Sequence, residues 1–152
     1  MDQKTIYVDM VADMFHSGHV NLLKRAASFG TTLIVGLNSD LDAASYKRVP
    51  IIPLKDRVIV IDACKYVDRV ISPCPLVITK DFLSEHNIDL VVHAHDEGDT
   101  SYNFMYEVPM KLNKFKRVDY TRGISTSDII KRIQERSTWL TVSTMQEQSI
   151  TQ

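Results

Sequence analysis

Cysteine is nearly absent: Cys64 and Cys74 are the only two among 152 residues. Their spacing matches neither a zinc cluster nor a redox pair, which excludes a disulfide framework and makes a reducing compartment the expectation. Excess charge is missing too, since 18 basic residues stand against 19 acidic ones and leave a formal net charge of -1. That balance gives no electrostatic footprint for nucleic acid. The basic spots Lys47-Arg48 and Lys114-Phe115-Lys116-Arg117 are short and read as solvated faces. No apolar run is long enough to span a membrane, and the N-terminus lacks the basic stretch, apolar core and cleavage site of a signal peptide. The expectation is a soluble, cytoplasmic protein without internal repeats, and at this length a single domain can bury its own core.

What the chain does contain is an alternation of strand-like and helix-like runs. Thr5 to Val11 and Thr31 to Gly36 are β-branched and apolar over strand length, and between them Val20, Leu22, Leu23, Ala26 and Ala27 repeat with helical spacing. Gly30 stands where that helix would stop. Two strands joined by such a helix make a right-handed crossover with parallel strands, whose ligands sit at the strands' carboxyl ends. The pattern continues with a short helix over Leu41 to Lys47, an irregular stretch enforced by Pro50 and Pro53, a helix over Leu54 to Lys65 and a strand at Arg69 to Ser72. After Pro73-Cys74-Pro75 come a helix over Lys80 to His86, a buried strand over Ile88 to His93, a loop with a short helix in 97 to 112, and a last strand at Arg117 to Tyr120. A final helix opens at Gly123 to Asp128 and runs to about Arg136, with Ile129, Ile130 and Ile133 marking its buried face. An α/β domain over 1–136 is expected, followed by a polar tail over 137–152.

Two strand ends carry the candidate chemistry. In Asp13-Met14-Phe15-His16-Ser17-Gly18-His19 the first strand turns into the first helix, with Ser17 as a candidate cap and Gly18 leaving room at the backbone. Unpaired N–H groups and the positive end of the helix dipole favour an anion there, and His16 and His19 add donors for oxygens whose charge grows during phosphoryl transfer. The same histidines could instead be structural, or bind a metal if a third ligand were present. Gly123-Ile124-Ser125-Thr126-Ser127-Asp128 repeats the arrangement with hydroxyls at another helix start, although Ser125 followed by Asp128 is also an ordinary capping box. Two such helix starts can clasp one triphosphate. Lys47 is a candidate for neutralising the phosphate of a second substrate. Arg57 and Arg122 could reach a phosphate or be surface residues, His95 and Asp96 could meet a sugar or base, and Asp13 is expected to orient the histidine turn.

His16-Ser17-Gly18-His19 resembles the HxGH signature of the nucleotidyltransferase superfamily, and Gly123-Ile124-Ser125-Thr126-Ser127 resembles the RTxGIST(T/S) signature of its cytidylyltransferase branch. Leu33-Ile34-Val35-Gly36, Ser39-Asp40, Lys65-Tyr66-Val67-Asp68 and Phe82 to Asp89 are also similar to cholinephosphate and ethanolaminephosphate cytidylyltransferases, so the likeness covers residues 5 to 136. The resemblance implies a Rossmann-like, doubly wound parallel sheet and a homodimer that condenses CTP, accompanied by Mg2+, with a phosphorylated alcohol. It assigns stabilisation of the transferring α-phosphate of the nucleotide to His16 and His19, and the acceptor phosphate together with the CTP phosphates to Lys47. The nucleotide falls to Val11, Ala12, Asp13, Gly18, His95, Asp96, Tyr120, Arg122, Gly123, Ile124, Ser125 and Thr126. Three positions depart from the pattern. Met10-Val11-Ala12-Asp13 stands for Gly-x-Phe-Asp, Tyr120 stands for the signature arginine, and Leu76 stands where an aromatic residue holds the alcohol's ammonium end. The competing functions are an adenylyltransferase acting on a sugar phosphate or cofactor precursor, a weakly catalytic nucleotide-binding regulator and, last, a metal-dependent hydrolase using His16 and His19.

Overall fold

Every apolar run named above becomes a parallel strand. In the computed structural model, which describes residues 3–137, β1 (Thr5–Met10), β2 (Thr32–Leu37), β3 (Arg69–Ile71), β4 (Leu90–Ala94) and β5 (Phe115–Val118) form one sheet. Its order is β3-β2-β1-β4-β5, and every pairing is parallel. Helices α1 (Ser17–Ala27), α2 (Asp40–Tyr46), α3 (Leu54–Asp62), α4 (Lys80–Glu85) and α5 (Asn103–Lys111) make the crossovers, and α6 runs from 126 through the last described residue, 137. This is a single Rossmann-like α/β domain. Among the described residues, no helix is long and apolar enough to cross a membrane.

The central strands are buried on both faces, which is why β1 and β2 read as nearly continuous apolar runs rather than alternating ones. One core gathers Ile6, Val8, Leu33 and Val35 against Leu23 and Ala26 of α1, while the other packs Tyr7, Ile34 and Val91 against Phe82, Leu83 and Tyr106. A fully buried leucine such as Leu23 contributes about 2 kcal/mol of apolar transfer. The order in which strands are added reverses between β1 and β4, so a crevice opens at the carboxyl ends of those two parallel strands. The histidine turn follows β1 directly.

Four local expectations change. Ser17 is the first helical residue, and the cap of α1 is His16. Gly30 ends no helix; a Cβ there would lie 2.4 Å from the Lys4 carbonyl oxygen, so close backbone approach sets its identity. The last strand begins two residues earlier than Arg117, because an edge strand tolerates the charges of Lys116 and Arg117 while Phe115 pairs with Val91. Ile133 is 55% exposed, since α6 meets the body of the domain through its first turn. Residue 137 lies in α6, and the rest of the polar tail lies outside the described residues.

Candidate active site

The turn after β1 is built around ring nitrogens. His16 Nδ1 accepts from the Gly18 N–H (3.1 Å) and His19 Nδ1 accepts from the His16 N–H (3.2 Å), a capping box made by two imidazoles. A ring that accepts at Nδ1 carries its proton at Nε2 when neutral. Burial lowers the pKa of both rings, and His19 falls to about 3 with help from the nearby His16 and Lys47 charges. The two rings lie 3.9 Å apart between centroids, tilted by 35°, and Phe15 stacks on His19 at 5.6 Å. The product is a pair of neutral Nε2–H donors with fixed tautomers. Gly18 makes room for this arrangement rather than for a ligand, because a Cβ there would stand 2.8 Å from His16 Cε1.

Asp13 ties the turn to two other segments. Its carboxylate accepts from the Ile51 and Ile52 N–H groups, both at 2.9 Å, and its carbonyl accepts from the Thr126 hydroxyl at 2.8 Å. The neighbours Ala12 and Met14 are held at φ +56° and +49°, conformations that non-glycine residues occupy at a cost of about 1 kcal/mol each. Buried Arg57 braces the same region by donating to the carbonyls of Val11, Asn38 and Ile52 and to Asp40 Oδ1. It is therefore a structural guanidinium that no phosphate reaches, contrary to either sequence reading.

Two compartments meet here. An open cleft is lined by His16, Gly18 and His19 on one side and by Gly123, Ile124, Ser125 and Thr126 on the other. Gly123 sits at φ +87°, which frees the chain to turn into α6. The Ser125 hydroxyl caps α6 by accepting from the Asp128 N–H and donating to the Asp128 carboxylate, and the Thr126 hydroxyl donates to the Asp13 carbonyl, so the backbone N–H groups of the first two residues of α6 are what this wall offers an anion. Beside the cleft lies a cavity of about 130 Å³ lined by Asp9, Val11, Ala12, Asp13, His93 and the four tyrosines Tyr46, Tyr102, Tyr106 and Tyr120. Lys47 and Arg48 line both spaces. Desolvation and the adjacent Arg48 lower the Lys47 pKa, while Asp9 opposes them.

Sequence reasoning offers Tyr102, Phe104 and Tyr106 as aromatics in place of Leu76, and of these Tyr102 and Tyr106 line the cavity, but it misses Asp9 and His93 at its centre. The Tyr106 hydroxyl donates to Asp9 Oδ1 at 2.7 Å and lies 2.8 Å from His93 Nδ1. Since its one proton goes to Asp9, His93 must donate from Nδ1, which leaves His93 Nε2 a buried acceptor without a partner. Burial raises the Asp9 pKa to about 6, against the pull of Tyr106 and Lys47, and desolvation drives that of His93 down to about 3. Asp9 sits within an apolar strand, and its partner is 97 residues away in sequence. No local pattern points to it.

Several expected residues stand elsewhere. The His95 ring packs among His93, Tyr102 and Phe115, and Asp96 is exposed beyond the end of β4; neither lines the cavity or the cleft. His93 lines the cavity from within β4, whereas His95 lies beyond the last residue of that strand, Ala94, and does not. Arg122 is exposed and does not line the cleft, and Arg117 is engaged with the His95 carbonyl and Asp119. Leu76 packs against the core around Tyr7 and Ile78, away from the cavity. Tyr120, 47% exposed, lines both spaces and shares the cavity with Tyr102.

A family model for cytidylyltransferase-like proteins matches residues 11–132. Ethanolamine-phosphate cytidylyltransferase of Dictyostelium discoideum is 36% identical over 137 residues, which cover 87% of this chain and 38% of that protein. Choline-phosphate cytidylyltransferase 2 of Arabidopsis thaliana is 41% identical over 133 residues, covering 84% and 44%. The chain thus spans less than half the length of these curated relatives. Among solved structures, the lipopolysaccharide core biosynthesis protein from Thermoplasma volcanium GSS1 superposes with a TM-score of 0.64 at 22% identity, over 81% of this chain and 100% of that one.

Proposed function

The chain belongs to the cytidylyltransferase-like family, and from that premise we propose that it condenses CTP with a small phosphorylated alcohol bearing an ammonium group, releasing a CDP-alcohol and pyrophosphate. The observation that carries the proposal is the pair of neutral, tautomer-fixed Nε2–H donors of His16 and His19, facing the start of α6 across one cleft. An acceptor phosphate oxygen attacks the α-phosphorus of CTP in line, a P–O bond forms, and the bond to the bridging oxygen of the β-phosphate breaks. Charge moves onto that bridging oxygen, where imidazole donors aimed in advance stabilise it. No strong base takes part, because a phosphate monoester is already largely ionised at neutral pH. Lys47 stands between the two spaces and holds the phosphates of both substrates against their mutual repulsion.

The cavity supports the choice of acceptor. Its volume of about 130 Å³ has room for a small headgroup. The Asp9 carboxylate and tyrosine faces favour a cation, so the ring that Leu76 lacks is supplied from α2, α5 and Tyr120. Magnesium enters as part of the Mg-CTP substrate; among the described residues no group of three His, Cys, Asp or Glu side chains gathers to hold a metal. The family resemblance extends the proposal to a homodimer, and the two free cysteines support a reducing cytoplasm. Pyrophosphate release is the test, from Mg-CTP and Mg-ATP, each against phosphoethanolamine, phosphocholine and glycerol 3-phosphate. Release with CTP and an ammonium-bearing acceptor is expected. Preference for ATP, or for glycerol 3-phosphate, overturns the proposal.

A further inference from the structure

Tyr120 occupies the place where the second signature has arginine, so the wall of the cleft that receives a triphosphate lacks the charge the signature puts there. The two arginines nearest in sequence do not restore it: Arg117 is paired with Asp119, and Arg122 does not line the cleft. Arg25 lines it from the last turn of α1, about 10 Å along that helix from the histidine turn. Arg48 is placed differently. It follows Lys47 at the end of α2, on a segment that Asp13 pins through Ile51 and Ile52, and its Nη1 donates to Ser127 Oγ at 3.0 Å. Its guanidinium therefore stands at the first turn of α6, where unpaired N–H groups already favour an anion. The carboxylates on the same cleft are Asp128, engaged with Ser125, and Asp119, engaged with Arg117.

We propose that Arg48 binds the β- and γ-phosphates of CTP, taking over from across the cleft the charge that the signature assigns to the position of Tyr120. A guanidinium has five donors in a fixed fork, and contact with Ser127 occupies one of them, leaving a second edge for phosphate oxygens. The exchange also frees position 120 to face the headgroup cavity, where Tyr120 joins Tyr102. This assignment rests on the CTP reading above, and binding separates the two.

Affinities for CTP and for CMP, which lacks the β- and γ-phosphates, are measured by calorimetry on the wild type, Arg48→Ala, Arg48→Lys and Arg48→Ala/Tyr120→Arg, with thermal melting to confirm folding. Arg48→Ala should weaken CTP by about ten- to a hundredfold, as loss of a charge-assisted pair does, and change CMP by less than about twofold. Arg48→Lys should keep part of the affinity, and the double variant should regain most of it. Unchanged CTP affinity in Arg48→Ala, an equal loss for CMP, or no recovery in a folded double variant overturns the assignment. If the wild type binds CTP with this pattern yet releases no pyrophosphate with any acceptor, the catalytic reading falls and the Arg48 assignment stands. If it does not bind CTP, both fall.

Discussion

Replacing Arg57 by lysine keeps the charge and removes the fork, and the structure sets the size of the effect. The guanidinium, 1% exposed, meets three backbone carbonyls, those of Val11, Asn38 and Ile52, together with the Asp40 carboxylate. A single ammonium nitrogen cannot reach acceptors spread over three segments, so about two carbonyls lose their partners. Each abandoned buried acceptor costs about 1–3 kcal/mol. Asp40 has a side chain 45% exposed and rehydrates at little cost. The sum is about 4 kcal/mol, a large share of the roughly 5–15 kcal/mol that holds a domain together. In a chain of this size the melting temperature should fall by roughly 8–16 °C. Urea unfolding is the assay, and the midpoint should drop with an unchanged slope. A variant within about 1 kcal/mol of the wild type would refute the reasoning, since the loops after β1 and β2 would then be held by something other than this side chain.

His16→Ala and His19→Ala should each lower the rate of pyrophosphate release by about a hundredfold or more while CTP affinity changes far less; an unchanged rate in both removes them from the chemistry. Asp9→Asn should raise the acceptor KM by about tenfold or more and leave the CTP KM alone, and wild-type acceptor affinity should weaken below about pH 6, where the carboxylate becomes neutral. His19 and His93 titrate near pH 3 when folded and near 6.5 when unfolded, so their contribution is complete above pH 6.5 and is lost as the pH falls. Asp9, raised to about 6, gains its proton first in the folded state and offsets one of the two. Stability should therefore fall as the pH drops from roughly 6 to 4, the buried imidazoles outweighing Asp9, and His93→Gln should flatten that slope in acid titrations followed by circular dichroism. An unaltered slope in the variant would show that His93 is not the buried base. Gly18→Ala should cost activity more than stability, because its Cβ displaces the His16 ring, and a normal rate would mean that the ring position is irrelevant.

The strands and the histidine turn are legible in the sequence because their signals are local: apolar runs over Ile6 to Val8 and Leu33 to Val35, and a helical repeat immediately after His19. What escapes is set by contacts between distant residues. Residue preference favours Ser17 as the cap, yet a ring nitrogen one position earlier does the work. A charged residue at a helix start reads as solvated, yet Arg57 is turned inward by three carbonyls from other segments. Asp9 and Tyr106 meet only when β1 lies under α5. His93 and His95 look equivalent in sequence, being two residues apart, until the end of β4 at Ala94 separates them.

The Thr126 hydroxyl reaches the Asp13 carbonyl across 113 residues of chain, and Thr5 meets Asp89 across 84. Contacts of such long sequence separation form slowly, because the loop between them must close first. The imidazole pair, by contrast, is made within one turn of helix and forms as soon as α1 does. A chain emerging from the ribosome therefore has its imidazole donors early and the facing wall of the cleft later. Until α6 docks on the turn after β1, the protein has a nearly complete sheet and a cleft with one wall.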